Sequence, residues 1–152
     1  VKAGPWHARV AYTHLRAVFR EGFDTVIGVF PSNVPIAVPA GASLPGVPKN
    51  YLHGELRYRA AAFFARAEGL YKSRVAVNDP NTDYAASFTV WNAAAGLTQE
   101  RGRLRFTEFV RVDNLADRNY AGSVIVNETS ARYFEPAPRR NVSVGLQAAL
   151  AF

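Results

Sequence analysis

The sequence predicts an all-β protein, an antiparallel transmembrane β-barrel of about eight strands. The main observation is a strict alternation at the end of the chain, where every second residue from Val142 to Phe152 is apolar and the residues between are small or polar. A period of two places the apolar side chains on one face of a strand. No stretch approaches 18 apolar residues, which excludes a transmembrane helix. Because 49% apolar residues and a mean hydropathy of −0.09 would also suit a soluble protein, the fold prediction depends on the alternation.

The first half of the chain contains four candidate strands. Trp6–Phe19 alternates as far as Tyr12 and then loses its parity, which indicates either a bulge or a strand that has left the bilayer. Asp24–Ser43, rich in Pro, Gly and Val, is predicted to be a loop with one short strand. Tyr51–Ala60 and Phe63–Arg74 alternate cleanly and are long enough to cross a bilayer.

The second half contains four more candidates, namely Phe88–Thr98, Arg103–Val112, Tyr120–Val126 and Asn141–Phe152. Glu108 falls among the apolar positions, where a charged Lys or Arg would cost about 2–4 kcal/mol at the midplane and Glu less. We therefore expect Glu108 to lie near a membrane interface, a register shift being the alternative. Six aromatic residues are predicted to form girdles at the two interfaces: Trp6, Tyr12, Tyr58, Tyr71, Trp91 and Tyr120.

Five segments carry a family resemblance. Asp113–Tyr120 resembles the "NL-x-D-x-x-Y" turn of TonB-dependent outer-membrane receptors, and Glu135–Asn141 and Gly145–Phe152 resemble the approach to their last strand and that strand itself. Leu44–Lys49 is similar to the "LPGVPKH" turn of the same receptors, and Val77–Thr82 to another shared segment. The five occur in the order of the family, which makes the resemblance much more specific than one turn would be.

The resemblance implies that residues 1–152 are a single barrel segment, the last eight strands of a 22-stranded receptor, without plug domain or TonB-binding segment. It implies the outer membrane of a Gram-negative bacterium, with lipid and lipopolysaccharide as neighbours and the plug domain and TonB as partners of the intact parent. We expect the chain to be a fragment or processed piece. Alone, it would close as a small barrel or pair with a second copy, because lipid cannot satisfy open strand edges.

The resemblance also implies sidedness, with the carboxyl-terminus and the Asp113–Tyr120 turn both periplasmic. Counting strands from there puts four segments outside: Arg20–Pro39, Ala60–Phe63, Gln99–Gly102 and Ser130–Arg139. The same count makes three segments periplasmic turns: Leu44–Lys49, Tyr84–Ser87 and Asn114–Arg118.

The inward face is predicted to be rich in cations, namely Arg9, Arg57, Arg59, Arg66, Lys72, Arg74, Arg105 and Arg111, in a chain of net charge +6. Arginine holds carboxylates in bidentate geometry, so a small anionic metal chelate such as a carboxylate-rich ferric siderophore is the functional interpretation. Two alternatives remain open. These cations pair with Glu55, Glu68 and an acidic plug surface, or the outermost arginines meet lipopolysaccharide phosphates.

Six residues are candidates for substrate binding: Arg57, Arg59, Arg66, Arg132, Tyr133 and Phe134. The last three lie in the predicted final extracellular loop, where an aromatic pair beside charge suits a bulky ligand. Phe134 could equally fold down against the barrel rim.

An enzyme is not predicted, because none of His7, His14 and His53 has an HExxH, CxxC or GxSxG partner and the chain lacks cysteine. No cofactor or metal is expected. Nucleic acid is not expected either, since the cations follow strands at period two rather than forming a patch. The alternative to a transport receptor is a stand-alone eight-stranded outer-membrane barrel with a structural or adhesion role.

Overall fold

A computed structural model describes residues 1–27 and 34–151, with the side chains of Lys2 and Ile27 outside the description. These residues form thirteen strands: β1 Lys2–Ala3, β2 Trp6–His14, β3 Phe23–Ile27, β4 Val34–Val38, β5 Asn50–Ala60, β6 Phe63–Lys72, β7 Val75–Ala76, β8 Tyr84–Ala85, β9 Phe88–Arg101, β10 Leu104–Asp113, β11 Ala121–Val124, β12 Phe134–Pro136 and β13 Asn141–Leu150. The part of the chain described contains no helix long and apolar enough to cross a membrane. The all-β antiparallel prediction is confirmed.

Seven strands form one antiparallel sheet in the order β1-β2-β5-β6-β9-β10-β13. The predicted closed barrel is not formed: over residues 1–27 and 34–151, no strand joins β13 to the β1–β2 side of the sheet. The count of about eight crossing strands is also wrong, because the sheet contains six strands of nine or more residues and the very short β1. Within these described ranges, neither edge of the sheet has a further strand as its partner.

Two candidate strands account for the difference in number. The Asp24–Ser43 candidate contains β4 and all of β3 except Phe23, which pair as a ribbon, and its residues 28–33 lie outside the described part. The Tyr120–Val126 candidate is the short β11, which pairs only with β12. Both ribbons belong to connections, since β2 pairs directly with β5 and β10 directly with β13. The candidate strand Trp6–Phe19 is observed as β2, which ends at His14, where the alternation of apolar and polar residues has been lost.

The register gives the sheet one apolar and one polar face. Tyr58 of β5 lies opposite Trp6 and Ala65, and the same row continues through Ala95 and Val110 to Val144. Adjacent rows place charged partners on the other face. Glu108 lies in unbroken register between Leu97 and Leu146, so the register-shift alternative for it is wrong. Phe152, the last residue of the predicted alternation, lies outside the described residues.

The two ends of the sheet differ in their connections. Residues 61–62 and 102–103 make short turns at one end, where Ala61 has φ 48° and Gly102 φ 59°. The long connections 15–49, 73–87 and 114–140 all lie at the other end. Because β13 runs from the long-connection end to the short-turn end, the chain terminus and the Asp113–Tyr120 turn lie at opposite ends. The predicted sidedness was wrong, since it counted β4 and β11 as crossing strands.

Three connections interlock into a cap, defined here as residues 39–49, 73–87 and 114–140. The backbone amide of Gly46 donates to the Ala76 carbonyl at 2.9 Å, and the amide of Asn127 donates to the Val77 carbonyl at 2.9 Å. Val77, Ala85 and Tyr133 form a buried cluster, against which Ala121 and Val124 pack. The cap therefore has a hydrophobic core of its own.

Glycines let aromatic rings lie flat on the sheet. Trp91 covers its register partner Gly69, where a Cβ atom would come within 2.5 Å of the indole ring. Phe109 covers Gly145 in the same way on the polar face. By contrast, Gly54, the cross-strand partner of Gly69, has nothing within 4 Å of such a Cβ atom. The predicted girdle residues Trp6, Tyr12, Tyr58, Tyr71 and Trp91 occupy the apolar face, whereas Tyr120 packs in the cap against Phe88 with ring centroids 4.3 Å apart.

Candidate functional site

The polar face of the sheet carries a cluster of charged side chains from three strands. Cross-strand register puts Arg57 of β5 opposite Arg66 of β6, and Glu55 opposite Glu68. Arg66 and Arg111 both lie opposite Ala94 of β9, one on each side. Because alanine is small, the two arginine side chains can reach over β9, and charges from three strands meet in one cluster.

These side chains form a continuous chain of ion pairs. Arg57 Nη2 lies 2.7 Å from Glu55 Oε2, and Arg66 lies 3.7 Å from the same oxygen. Arg66 also contacts Glu68 at 3.0 Å. Arg111 contacts Glu68 at 3.4 Å and Asp113 at 2.7 Å. The alternative in which the inward cations pair with Glu55 and Glu68 therefore describes Arg57, Arg66 and Arg111.

Glu55 is the anchor of this chain of ion pairs. Its side chain is only 4% exposed, and Oε1 has no hydrogen-bond partner among the described residues. Arg9 lies opposite it on β2. A buried carboxylate is stable only when its charge is compensated, so the arginines around Glu55 have a structural role.

A hollow of about 790 Å³ lies along this face, lined among others by Arg57, Arg59, Arg66, Arg111 and His7. Arg59 also lines a neighbouring hollow of about 560 Å³. Unlike Arg57 and Arg66, Arg59 forms no ion pair with any carboxylate in the described part of the chain. Among the predicted site cations of the polar face, Arg59 is therefore the one without a carboxylate partner in the described residues.

Arg132, Tyr133 and Phe134 lie in the cap, in the connection between β10 and β13. Tyr133 is 6% exposed and packs in the buried cluster, whereas Phe134 is 51% exposed. The centroids of the two rings are 6.2 Å apart. Tyr133 is therefore the aromatic residue that fills the core of the cap, and about half of the Phe134 side chain stays exposed. The predicted site residues therefore fall into two groups, one on the polar face and one in the cap.

Glu128 shapes this loop. Its Oε2 accepts hydrogen bonds from the Ser130 hydroxyl at 2.7 Å and from the backbone amides of Ser130 and Arg132. These bonds, that of the Ser130 hydroxyl first, lower the pKa of the Glu128 carboxyl from its usual value, because they stabilise the charged form. The backbone at Arg132 is thereby fixed, while its side chain remains exposed.

Two of the motif segments are joined by a clamp that sequence reasoning missed. Asp117 accepts hydrogen bonds from Arg139 Nε at 2.9 Å, Arg139 Nη2 at 2.6 Å and the Arg140 amide at 2.9 Å. The Arg139 guanidinium and then the Arg140 amide hold the pKa of the Asp117 carboxyl well below its usual range. Asp117 also raises the pKa of Arg139. The sequence feature that could have predicted this ion pair is the aspartate in one motif segment and the arginine in the next.

Asn114, from the same motif, is buried in a left-handed conformation with φ 53°. Its amide donates to the carbonyls of Arg118 at 2.8 Å and Pro138 at 3.3 Å, and its oxygen accepts from the Arg118 amide. Asparagine tolerates this backbone region better than most residues and can satisfy the buried turn with its own side chain. The motif is thus a structural turn that orients the cap.

The described residues contain no group of three or more His, Asp or Glu side chains able to hold a metal ion. His14 Nδ1 contacts Asn50 Oδ1 at 2.8 Å. Asn50 Oδ1 also accepts the Tyr12 hydroxyl at 2.8 Å, so His14 belongs to a structural network at the end of β2.

Comparison with known proteins bears on the fold. No protein-family model matches the sequence. The siderophore receptor PiuA from Acinetobacter baumannii superposes with a TM-score of 0.74 at 18% identity, over 96% of this chain and 19% of that chain. The ferric-catecholate import receptor Fiu from E. coli K12 superposes with a TM-score of 0.67 at 20% identity, over 99% of this chain and 19% of that chain. The chain has the fold of a siderophore-receptor segment. It spans about a fifth of the receptors that it matches.

At the level of the fold, the resemblance to TonB-dependent receptors is confirmed. Four of the five segments that carried it lie at one end of the sheet, and contacts join them in pairs. The Asn81 side chain donates to the Ser43 carbonyl at 2.8 Å beside the Leu44–Lys49 turn, and Asp117 binds Arg139. In this siderophore-receptor fold, the shared motifs build the cap rather than the charged face.

Proposed function

We propose that this chain is part of the barrel wall of a TonB-dependent receptor in the outer membrane of a Gram-negative bacterium. The observation that carries the proposal is the two-faced sheet. Its apolar face leaves large side chains in the open, including Trp91, Leu146 and Val144, the last of which is 80% exposed. Soluble monomers rarely expose apolar patches on this scale, whereas lipid covers such a face in a membrane barrel.

The parent protein is proposed to import an anionic metal chelate such as a ferric siderophore. Support comes from the two structural neighbours, one described as a siderophore receptor and the other as a ferric-catecholate import receptor. Arg59, with Arg57 and Arg66 beside it, would offer positive charge along the polar face. Arg132 and Phe134 would meet the chelate in the exposed part of the cap, and Tyr133 would hold that loop in shape.

The proposed partners follow from the surfaces that the sheet leaves open. The free edges at β13 and at the β1–β2 side would pair with further strands of the parent, because lipid offers no hydrogen bonds. The polar face would lie against a plug domain, and TonB would supply energy to the parent. Lipid and lipopolysaccharide would cover the apolar face. The long connections would be extracellular and the short turns periplasmic, as in bacterial barrels.

The stand-alone eight-stranded barrel with a structural or adhesion role has less support, since the sheet is open at both edges. An enzymatic role is not proposed, because the structural neighbours are described as receptors.

Membrane placement can be tested with single cysteines, since the natural chain contains none. Val144→Cys and Ser143→Cys are adjacent on β13 and face opposite ways. In outer-membrane vesicles, we expect Cys at 144 to resist a membrane-impermeant maleimide and to react with an apolar one. Cys at 143 should show the reverse preference. Equal labelling of both positions by the aqueous reagent would contradict the lipid-facing assignment.

Transport can be tested in iron-starved cells that carry the parent gene. We expect uptake of ⁵⁵Fe presented as an anionic siderophore chelate to fall to background when TonB is deleted or when residues 1–152 are removed. Arg59→Gln should reduce uptake, while Arg103→Gln at a short turn serves as the matched control. Uptake that is independent of TonB would reject the receptor assignment.

A further inference from the structure

A second basic hollow lies at the long-connection end of the sheet, away from the polar-face cluster. It has a volume of about 330 Å³ and lies where the segment after β2, the turn before β5 and the β7–β8 ribbon meet. Three of its lining side chains are cations, Arg16, Lys49 and Arg74, and none of the described residues that line it is acidic. This composition differs from that of the polar face, where most of the arginines are compensated.

The three cations have no acidic partner in the described residues. None of them forms an ion pair there, whereas Arg57, Arg66 and Arg111 each form at least one. All three are exposed. The guanidinium carbon of Arg74 lies 4.7 Å from the ring centroid of Tyr84, a cation–π contact that positions the side chain without neutralising it. Like charges around one hollow repel one another, so an anion bound there would relieve that repulsion.

The wall of the hollow also offers neutral hydrogen-bonding groups. Ser73 is buried, and its Oγ accepts the backbone amide of Asn50 at 3.0 Å. Its hydroxyl proton has no acceptor among the described residues, so Ser73 can still donate one hydrogen bond. Asn50 lines the same hollow.

We propose that this hollow binds a phosphate ester. A terminal phosphate carries nearly two negative charges and three acceptor oxygens, which matches three cations and a hydroxyl donor better than one carboxylate would. Such a group occurs both on the phosphorylated sugar headgroup of an outer-membrane glycolipid and on soluble sugar phosphates. The site lies outside the hollow proposed for the metal chelate and does not depend on transport.

The test measures binding of three probes to the purified protein in detergent or mixed vesicles. The probes are glycolipid vesicles with a glucosamine disaccharide bisphosphate headgroup, the same vesicles after dephosphorylation, and soluble glucosamine-1-phosphate. Arg16→Gln with Arg74→Gln removes two of the cations. Arg101→Gln with Arg103→Gln, at the opposite end of the sheet, is the matched control because it removes the same net charge.

We expect the Arg16/Arg74 variant to bind phosphorylated vesicles on the order of 100-fold more weakly, about tenfold for each lost charge-assisted contact, and the control to change little. Lys49→Gln, which leaves the Tyr84 contact intact, should weaken binding by roughly tenfold. Retained heat-modifiable migration on gels checks that each variant is folded.

Phosphorylated vesicles bound well above soluble glucosamine-1-phosphate would identify the glycolipid headgroup as the source. Comparable binding of both would identify a soluble phosphate ester. Binding that survives dephosphorylation, or that falls equally in the control variant, would overturn the proposal, since either result would mean adsorption governed by acyl chains or net charge.

Discussion

The sheet and the cap are stabilised in opposite ways. The sheet satisfies its backbone hydrogen bonds internally but leaves one face of apolar side chains in the open. The cap has little regular structure, yet it holds Val75, Val77 and Tyr133, which are buried. A soluble β protein concentrates its core between sheets. In this chain the sheet depends on its surroundings to cover its apolar face, whereas the cap buries apolar side chains of its own.

The largest expected effect comes from the core of the cap. Tyr133→Ala should lower the free energy of unfolding by about 3–5 kcal/mol, as for other large aromatic truncations in cores, whereas Phe134→Ala should stay within about 0.5 kcal/mol. Urea unfolding in micelles, followed by the near-ultraviolet dichroism of the cap aromatics, measures both. Equal losses from the two neighbours would mean that the cap has no packed core.

On the sheet, the strongest expected effect is at Glu55. Glu55→Gln leaves Arg57 and Arg66 without their shared carboxylate oxygen and should cost about 2 kcal/mol, less than the 3–5 kcal/mol for a fully buried pair because the arginines are partly hydrated. Glu100→Gln, in the pair with Arg105 where Glu100 is 61% exposed, should cost less than about 1 kcal/mol. The two free energies of unfolding can be compared directly. A neutral Glu55→Gln would show that the ion pairs contribute little to the sheet.

An effect of similar size is expected where an aromatic ring covers glycine. Gly69→Ala must displace Trp91 and should cost about 1–3 kcal/mol, while Gly54→Ala on the facing strand meets open space. A shift of Trp91 fluorescence should accompany the first substitution alone. If both variants were equally stable, the ring over Gly69 would be free to move away at little cost.

The smallest expected effect depends on pH and is confined to the cap. The pKa of Asp117 is depressed in the folded state, so its contribution to stability is complete above the unfolded value of about 4 and is lost as the pH falls toward the folded value. We expect proteolysis of the segment 114–140 to accelerate below about pH 4, and Asp117→Asn to remove this dependence. An unchanged acid sensitivity in that variant would assign the effect to another carboxylate.

Period-two alternation was sufficient to predict the sheet. Tyr51–Ala60 and Phe63–Arg74 correspond to β5 and β6 within two residues, and the side of every residue in them follows from the pattern. Glu55 and Glu68 could also be named in advance as partners of the arginines, because they share a face with them. Local periodicity is enough wherever one face of a strand meets a uniform environment.

The cap could not be predicted in the same way. The short strands β4 and β11 have strand-like composition, but whether a strand joins the main sheet depends on a partner distant in sequence. The choice between adjacent Tyr133 and Phe134 depends likewise on Val77 and Ala85, more than 45 residues earlier. The error in sidedness followed from the same cause, because the extra crossing counted at β11 reverses the side assigned to every segment between β4 and β11.

The difference between short turns and long connections sets an order of folding. The β5–β6 and β9–β10 hairpins close through two-residue turns, so each can form early and at low loop-closure cost. The cap requires contacts across 38 residues between Ser43 and Asn81 and across 48 residues between Asp79 and Asn127. We therefore expect the hairpins to form first and the cap to close last, so that hydrogen-exchange protection appears at Leu56 and Phe106 before it appears at Val77.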